Sequence, residues 1–217
     1  GVSGDTVVRD VKLRPQRAQA YVSIMRGCNM PCTYCIVPTT RGAEVSRPMA
    51  QIVEEAQRLC DDGATEICLL GQTVNAYGRD LAEAATLATL LRQLHAIPSL
   101  RRLAFITSHP NFVTAELIDA LAELPKIARY LHFPAQSGST AVLKAMRRGY
   151  TRERYLQDIT AFERIYGMHL SLGEKHSTFK KKEMPTHHTK YHVDLFPMVD
   201  RVLANGEVIF EAGKYLV

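Results

Sequence analysis

The chain has 217 residues, 46% of them hydrophobic and 23% charged. That is globular composition, and it excludes a collagen-like, low-complexity or wholly disordered chain. No apolar run approaches the roughly 18 to 20 residues that cross a bilayer, and residues 1–20 lack the apolar core of a secretory signal. Twenty-seven Lys and Arg against 22 Asp and Glu leave a net charge of +5, which suits an anionic partner such as RNA but is also common in ordinary soluble domains.

Position 1 is Gly rather than Met, so a fragment or processed chain is expected, with residues 1–19 as a linker. Residues 21–25 read as a first strand. A helix follows over 48–62, with Met49, Ile52, Val53, Ala56, Leu59 and Cys60 at helical spacing, Pro48 in its first turn and Gly63 as its cap. Residues 66–70 form a second strand. Residues 84–96 form a second helix with Leu87, Leu90, Leu91 and Leu94 inward, stopped by Pro98. A third strand at 102–106 leads to a helix capped by Thr114 and carrying Leu117, Ile118 and Leu121. A fourth strand at 130–133 leads to a short helix opened by Ser139, with Val142, Leu143 and Met146 inward. The helix at 152–166 then buries Tyr155, Ile159 and Phe162, and residues 169–172 begin a fifth strand.

This repetition predicts an α/β fold with a parallel sheet and right-handed crossovers, its chemistry at the C-terminal ends of the strands. After Gly173 the pattern is lost. Residues 174–192 gather five lysines and four histidines without apolar period and read as loop or disorder. Residues 193–204 are weakly amphipathic, and 207–217 read as a hairpin or edge strand around Gly213. The tail 173–217 is therefore basic, His-rich and unassigned.

Three of the five cysteines, Cys28, Cys32 and Cys35, fall within eight residues. A disulfide framework spreads its cysteines to close long loops; this cluster would close almost nothing. A structural zinc site takes four protein ligands, often as two pairs. Here Cys60 lies on a helix face and Cys68 inside a strand, both as core residues. Three thiolates suit a 4Fe-4S cluster with one iron lacking a protein ligand, since such clusters usually take four. Three-ligand zinc and mere packing are the competing readings. The C-x3-C-x2-C spacing is the signature of radical S-adenosylmethionine (SAM) enzymes, and Tyr34 just before the last cysteine strengthens it.

The text around the loop carries a wider likeness. Tyr21-Val-Ser-Ile-Met-Arg-Gly-Cys28, Tyr34-Cys35-Ile-Val-Pro38, Thr40-Arg-Gly42 and Ser46-Arg-Pro48 are followed by Leu70-Gly-Gln-Thr-Val-Asn-Ala-Tyr77. Then come Thr107-Ser-His-Pro110, Pro134-Ala-Gln-Ser-Gly-Ser139 and Tyr150-Thr-Arg152. Together they resemble the radical SAM methylthiotransferases, closest to the MiaB-type tRNA-2-methylthio-N6-dimethylallyladenosine synthases, over residues 9–172. The stretch from Gly71 to Tyr77 marks that subfamily; members acting on a ribosomal protein or another modified adenosine differ there.

The resemblance implies a partial (β/α) barrel over 20–172, with the last strands missing or replaced. It implies a 4Fe-4S cluster on Cys28, Cys32 and Cys35 whose open iron chelates SAM. One electron, from a reductase or flavodoxin-type donor, then cleaves SAM to methionine and a 5′-deoxyadenosyl radical. Hydrogen is taken from C2 of an isopentenyl-modified adenosine beside the tRNA anticodon, sulfur is inserted and a second SAM supplies the methyl group. A cytoplasmic monomer is implied. So is packing of Tyr34 near the cluster or SAM, and a SAM pocket lined by Gly71, Gln72, Gln136 and Ser137. Gln72 and Gln136 also read as solvated loop amides. Asn75 and Tyr77 either position substrate or shape their loop. Arg41 and Arg47 either meet phosphate or the SAM carboxylate or are surface arginines, and His109 is either a pocket or a structural histidine.

Family members also carry an N-terminal domain with an auxiliary cluster and a C-terminal TRAM domain that grips tRNA, and neither is legible here. The family's fifth-strand text is also missing after residue 170. This stretch alone is therefore expected not to complete methylthiolation, with a non-catalytic zinc or vestigial module as the remaining alternative.

Overall fold

The computed structural model describes residues 18–82, 84–128 and 130–166, together with the strand segments 192–194, 201–202 and 208–209. β1 (Gln19–Ser23) and β2 (Met25–Arg26) lead into the cysteine loop, and α1 (Val37–Arg41) and β3 (Val45–Ser46) follow it. Next come α2 (Met49–Asp61), β4 (Glu66–Leu70), α3 (Leu87–His95) and β5 (Arg102–Phe105). The chain continues with α4 (Ala115–Glu123), β6 (Tyr130–His132), α5 (Thr140–Ala145), α6 (Arg152–Tyr166), β7 (His192–Asp194), β8 (Arg201–Val202) and β9 (Val208–Ile209).

The helices begin and end where local chemistry directs. Thr86 caps α3 in a reciprocal capping box with Thr89, so this helix starts later than its apolar spacing suggests. The Thr114 hydroxyl accepts from Leu117 N at 3.1 Å and opens α4. After α2, Gly63 takes a left-handed φ of +96°, and Ala64 N reaches back to Leu59 O at 2.9 Å. Of the three α5 residues expected inward, only Leu143 is fully buried; Val142 is exposed, because so short a helix turns one narrow stripe to the core.

β1, β4 and β5 form a parallel sheet in that order, with Tyr21 level with Cys68 and Cys68 level with Ala104. β6 runs beside β5 through a parallel bridge between Leu103 and Ile127, and Ser108 N donates to His132 O at 3.3 Å. β7 pairs in parallel with β6, with Tyr130 opposite His192. Among the described residues, parallel strands alternate with helices and do not close on themselves, which is the parallel α/β fold that the alternation predicts and fits the partial barrel that the resemblance implies.

The tail departs from expectation at one point: His192, expected in a loop, opens the strand that takes the place beside β6. β8 pairs antiparallel with β9, and Gly213, around which a hairpin or edge strand is expected, lies outside the described residues. The strand expected at 169–172 lies outside the described residues.

The sheet's two faces differ because side chains alternate. Ala20, Val22, Ile67, Leu69, Leu103 and Phe105 face the helices and join the main core, packing with Ile52 of α2 and Leu90, Leu91 and Leu94 of α3. On the opposite, concave face the register stacks three rows. Gln19, Glu66 and Arg102 form a hydrogen-bonded base, in which Arg102 Nη1 reaches both Glu66 oxygens at 3.0 and 3.1 Å. Tyr21, Cys68 and Ala104 form the middle, and Ser23 and Leu70 the row nearest the strands' C-terminal ends. Cys68 and Cys60 are core residues, as expected, and burial pushes both thiols up.

Leu90 is fully enclosed between α3 and the sheet. A Leu90→Ala substitution is predicted to cost about 3 kcal/mol of unfolding free energy through lost burial and a residual cavity. Urea denaturation checks this, with the exposed Arg58→Ala as the near-neutral control.

Candidate functional site: the cysteine loop at the mouth of the sheet

The C-terminal ends of the strands open into four connecting segments: the cysteine loop after β2, 71–80 after β4, 106–113 after β5 and 133–139 after β6. Ligands and catalytic groups of parallel α/β proteins gather at this end. Backbone strain gathers there too. The non-glycine residues with left-handed φ among those described are Thr107, Gln136 and Arg147. Two lie in the segments after β5 and β6, and the third lies in the segment that touches the cysteine loop. For β-branched Thr107 this conformation is a true outlier; its hydroxyl donates to the carbonyls of Gly71 and Ile106.

The cysteine loop is held from two sides. On one, Cys28 N donates to Gly42 O at 3.1 Å, and the buried Glu44 carboxylate accepts from Asn29 N at 3.2 Å and Asn29 Nδ2 at 3.5 Å. Glu44 N returns a bond to Asn29 Oδ1 at 3.1 Å. Gly27 sits at φ +73° where a Cβ would overlap the Ala43 carbonyl, so only glycine lets β2 and the 42–44 strand entry approach this closely. On the other side, Thr33 N donates to Met146 O at 3.2 Å, and Arg148 Nη1 donates to Cys32 Sγ at 3.2 Å. Cys28 Sγ lies 3.5 Å from the Thr73 hydroxyl and accepts from Met30 N at 3.4 Å. Cys28 and Cys32 are each 8% exposed and Cys35 is half-buried; all three are free thiols.

Arg148 is the residue that periodicity did not single out. It is 5% exposed, and its ion-pair partner is no carboxylate of the described chain. Its polar contacts are Cys32 Sγ and, from Nε, the Tyr150 hydroxyl at 3.4 Å, with the Tyr150 ring 5.6 Å from its guanidinium carbon. The only sequence signal was the Met146-Arg-Arg-Gly run after α5, and nothing in it says which arginine turns inward. Glu44 and Thr73 were missed for the same reason.

The expected pocket residues divide. Tyr34 is half-exposed, and burial of its phenol pushes it up to about 12, against the opposing pull of Arg148; it stands in the same electrostatic neighbourhood as Cys32. Gln72 carries a buried Oε1 without a hydrogen-bond partner. Gln136 takes its left-handed φ of +64° just beyond β6. Gly71 packs closely on Met25, whose Cγ would have to shift for a Cβ built at 2.6 Å. Ser137 is buried, and its hydroxyl accepts from Ser139 N at 3.1 Å, tying the turn before α5.

Asn75 and Tyr77 shape their loop. The Asn75 amide brackets the His109 backbone with two bonds of 2.8 Å, and the Tyr77 hydroxyl donates to Arg47 O at 2.8 Å. Arg47 pairs with Glu55 at 2.7 Å and donates to Ser23 O at 2.6 Å, contacts that support the alternative without phosphate or the SAM carboxylate. Arg41 is exposed on the last turn of α1.

His109 is 5% exposed, and burial, seconded by the Arg148 charge, lowers its pKa to about 3. Its Nδ1 accepts from Asn111 N at 3.1 Å, so the neutral ring carries its proton on Nε2, which has no hydrogen-bond partner. Ser108 Oγ is likewise buried and unpartnered. Polar groups left unsatisfied at a strand mouth await a ligand or water.

Among the described residues, no three His, Cys, Asp or Glu side chains group tightly enough for a single metal ion. Three free thiols on one loop, a buried arginine beside them and unpartnered polar atoms on the neighbouring loops suit a thiolate-held cluster with a polar ligand.

Residues 22–168 match the Radical SAM superfamily, and the chain belongs to it. The chain is 46% identical over 159 residues to a tRNA-2-methylthio-N(6)-dimethylallyladenosine synthase of Syntrophotalea carbinolica, covering 71% of this chain and 36% of that protein. It is 50% identical over 159 residues to the synthase of the same name from Rhodopirellula baltica, covering 73% and 33%. The chain thus spans about a third of these curated relatives. Among solved structures it resembles the radical SAM methyltransferase TsrM of Kitasatospora setae, with a TM-score of 0.54, 20% identity and coverage of 69% of this chain and 27% of that one. It also resembles the cobalamin-dependent radical enzyme OxsB, with a TM-score of 0.53, 14% identity and coverage of 66% and 22%. At these identities the structures bear out the fold.

The His109 environment has a pH consequence. Its folded pKa lies below the roughly 6.5 of an unfolded histidine, so between pH about 6.5 and about 3 the unfolded chain binds a proton that the folded ring refuses. Stability is therefore lost as pH falls through that window. Urea midpoints at pH 7 and pH 5 should drop further for the native chain than for His109→Gln; equal drops would contradict this environment.

Proposed function

We propose that the chain is the radical SAM core of a tRNA methylthiotransferase, acting on C2 of N6-isopentenyl-adenosine next to the anticodon. Cys28, Cys32 and Cys35 would hold a 4Fe-4S cluster, leaving one iron without a protein ligand and free to bind SAM. The observation that carries the reading is the three-cysteine loop clamped at the C-terminal mouth of a parallel sheet, against a buried arginine that lacks a carboxylate. The synthase names of relatives at 46% and 50% identity support the substrate assignment.

When bound, cluster and SAM supply reductive cleavage of a carbon–sulfur bond to start hydrogen abstraction. This chain's own residues do the placing. Glu44 and Asn29 fix one end of the cysteine loop, while Met146 and Arg148 fix the other. Gln72, Ser108 and neutral His109 offer hydrogen-bonding atoms to a polar ligand at the mouth, and Tyr34 shields the loop. Gln136 presents its backbone at the end of β6, and Gly71 and Ser137 keep their turns close enough to form the wall. No described helix is long and apolar enough to cross a membrane; we read the protein as a cytoplasmic monomer that receives electrons from a reductase or flavodoxin-type donor. A complete reaction on tRNA calls for the parts of the relatives that this chain does not span.

Anaerobic reconstitution with iron and sulfide tests the site. The expected product is brown, with broad absorption near 400 nm that is lost in Cys28→Ala; a colourless chain that retains zinc would favour the non-catalytic alternative. Mass spectrometry of tRNA from a host lacking the activity, complemented with the full-length protein, tests the substrate. Methylthio-isopentenyl-adenosine is expected, and a modified threonylcarbamoyl-adenosine or ribosomal protein would point to the sister activities.

A further inference from the structure

A buried guanidinium stays charged, and a charge withdrawn from water needs a partner. Arg148 is 5% exposed, and none of the ion pairs among the described residues includes it. Its nearest group able to carry negative charge is Cys32 Sγ, 3.2 Å from Nη1. The other polar groups around it, the Tyr150 hydroxyl, the Tyr34 phenol and the His109 ring, include no carboxylate. The arginine is also fixed in place. Tyr150 OH donates to Ala135 O at 2.6 Å beyond β6 while accepting from Arg148 Nε, and two residues earlier Met146 O takes the Thr33 amide next to Cys32. The cation is thus anchored to two walls of the mouth and aimed at the middle thiol of the loop.

We propose that Arg148 is the counter-charge of the iron–sulfur group, and that its hydrogen bond to the Cys32 thiolate raises that group's reduction potential. The inference rests on the cluster reading above. One-electron reduction adds negative charge to the group and its thiolates. A fixed cation in a water-poor site stabilises the reduced form more than the oxidised form, and hydrogen bonds to ligating sulfur act in the same direction. The electron comes from an external one-electron donor, dithionite in the test. Arg148 is accordingly a positioning and electrostatic residue that acts through Cys32, not a group that touches substrate.

The test is an EPR-monitored redox titration of the full chain, reconstituted anaerobically, as the native protein, Arg148→Gln and Arg148→Lys, with iron and sulfide measured per chain. The midpoint of Arg148→Gln is expected to be more negative than the native one, with Arg148→Lys restoring most of the difference. Unchanged midpoints in Arg148→Gln would overturn the proposal, as would a lysine variant displaced as far as the glutamine variant. Where Arg148→Gln assembles no cluster, native iron content in Arg148→Lys supports the charge requirement. Loss of the cluster in both variants shows a packing role and overturns it. A native chain that forms no cluster at all is a separate result, which sinks the cluster reading itself.

Discussion

Burial of one unpaired guanidinium organises this molecule's mouth. Arg148 cannot shed its proton, and among the described residues its close anionic candidate is a cysteine sulfur on a loop that has no strand or helix of its own. Removing a charge from water is costly enough that such an arrangement persists only where the counter-charge is reliably present. A thiolate that ligates iron meets that condition, because metal ligation keeps it deprotonated. With Cys32 ligating iron as proposed, the cysteine loop and the 146–148 segment depend on each other: the loop would supply the charge, and the segment supplies the cation and the carbonyl that hold the loop.

The parallel sheet makes this meeting possible. Registers of β1, β4 and β5 bring their C-terminal ends level, so that Thr73 after β4 reaches Cys28, and Asn75 of the same segment grips the His109 backbone after β5. The concave face below the mouth is closed by the Gln19, Glu66 and Arg102 row and lined above it by small residues, Cys68, Ala104 and Ala128. The helices, by contrast, only cover the convex face. Their capping residues set their lengths, and their lengths carry the chain back to the start of each next strand. Backbone strain gathers at the mouth of this (β/α) arrangement, where Thr107 and Gln136 are found.

Much of the fold can be read from residue order because its signals are local. Glu66–Leu70 and Arg152–Tyr166 appear within their expected bounds, since each has clear periodicity and a definite stop. The short elements around the cysteines do not announce themselves. α1 buries nothing, and β2 and β3 hold only two residues each, so neither period can establish itself. The cysteine triplet was visible because three identical ligands at fixed spacing are rare by chance. Arg148, Glu44 and Thr73 were not, because their roles arise from contacts 15 to 116 residues apart in the chain. Arg47 stayed open in the sequence between an anion-binding and a surface role, and only the fold reveals its contacts with Glu55 and the Ser23 carbonyl.

The most direct test of the account is Mössbauer spectroscopy of the full chain reconstituted with 57Fe, recorded before and after SAM is added. The account predicts a cubane spectrum in which a single iron site changes its parameters when SAM arrives, since that iron alone lacks a cysteine. A spectrum indifferent to SAM, or iron bound without the cubane signature, would contradict it.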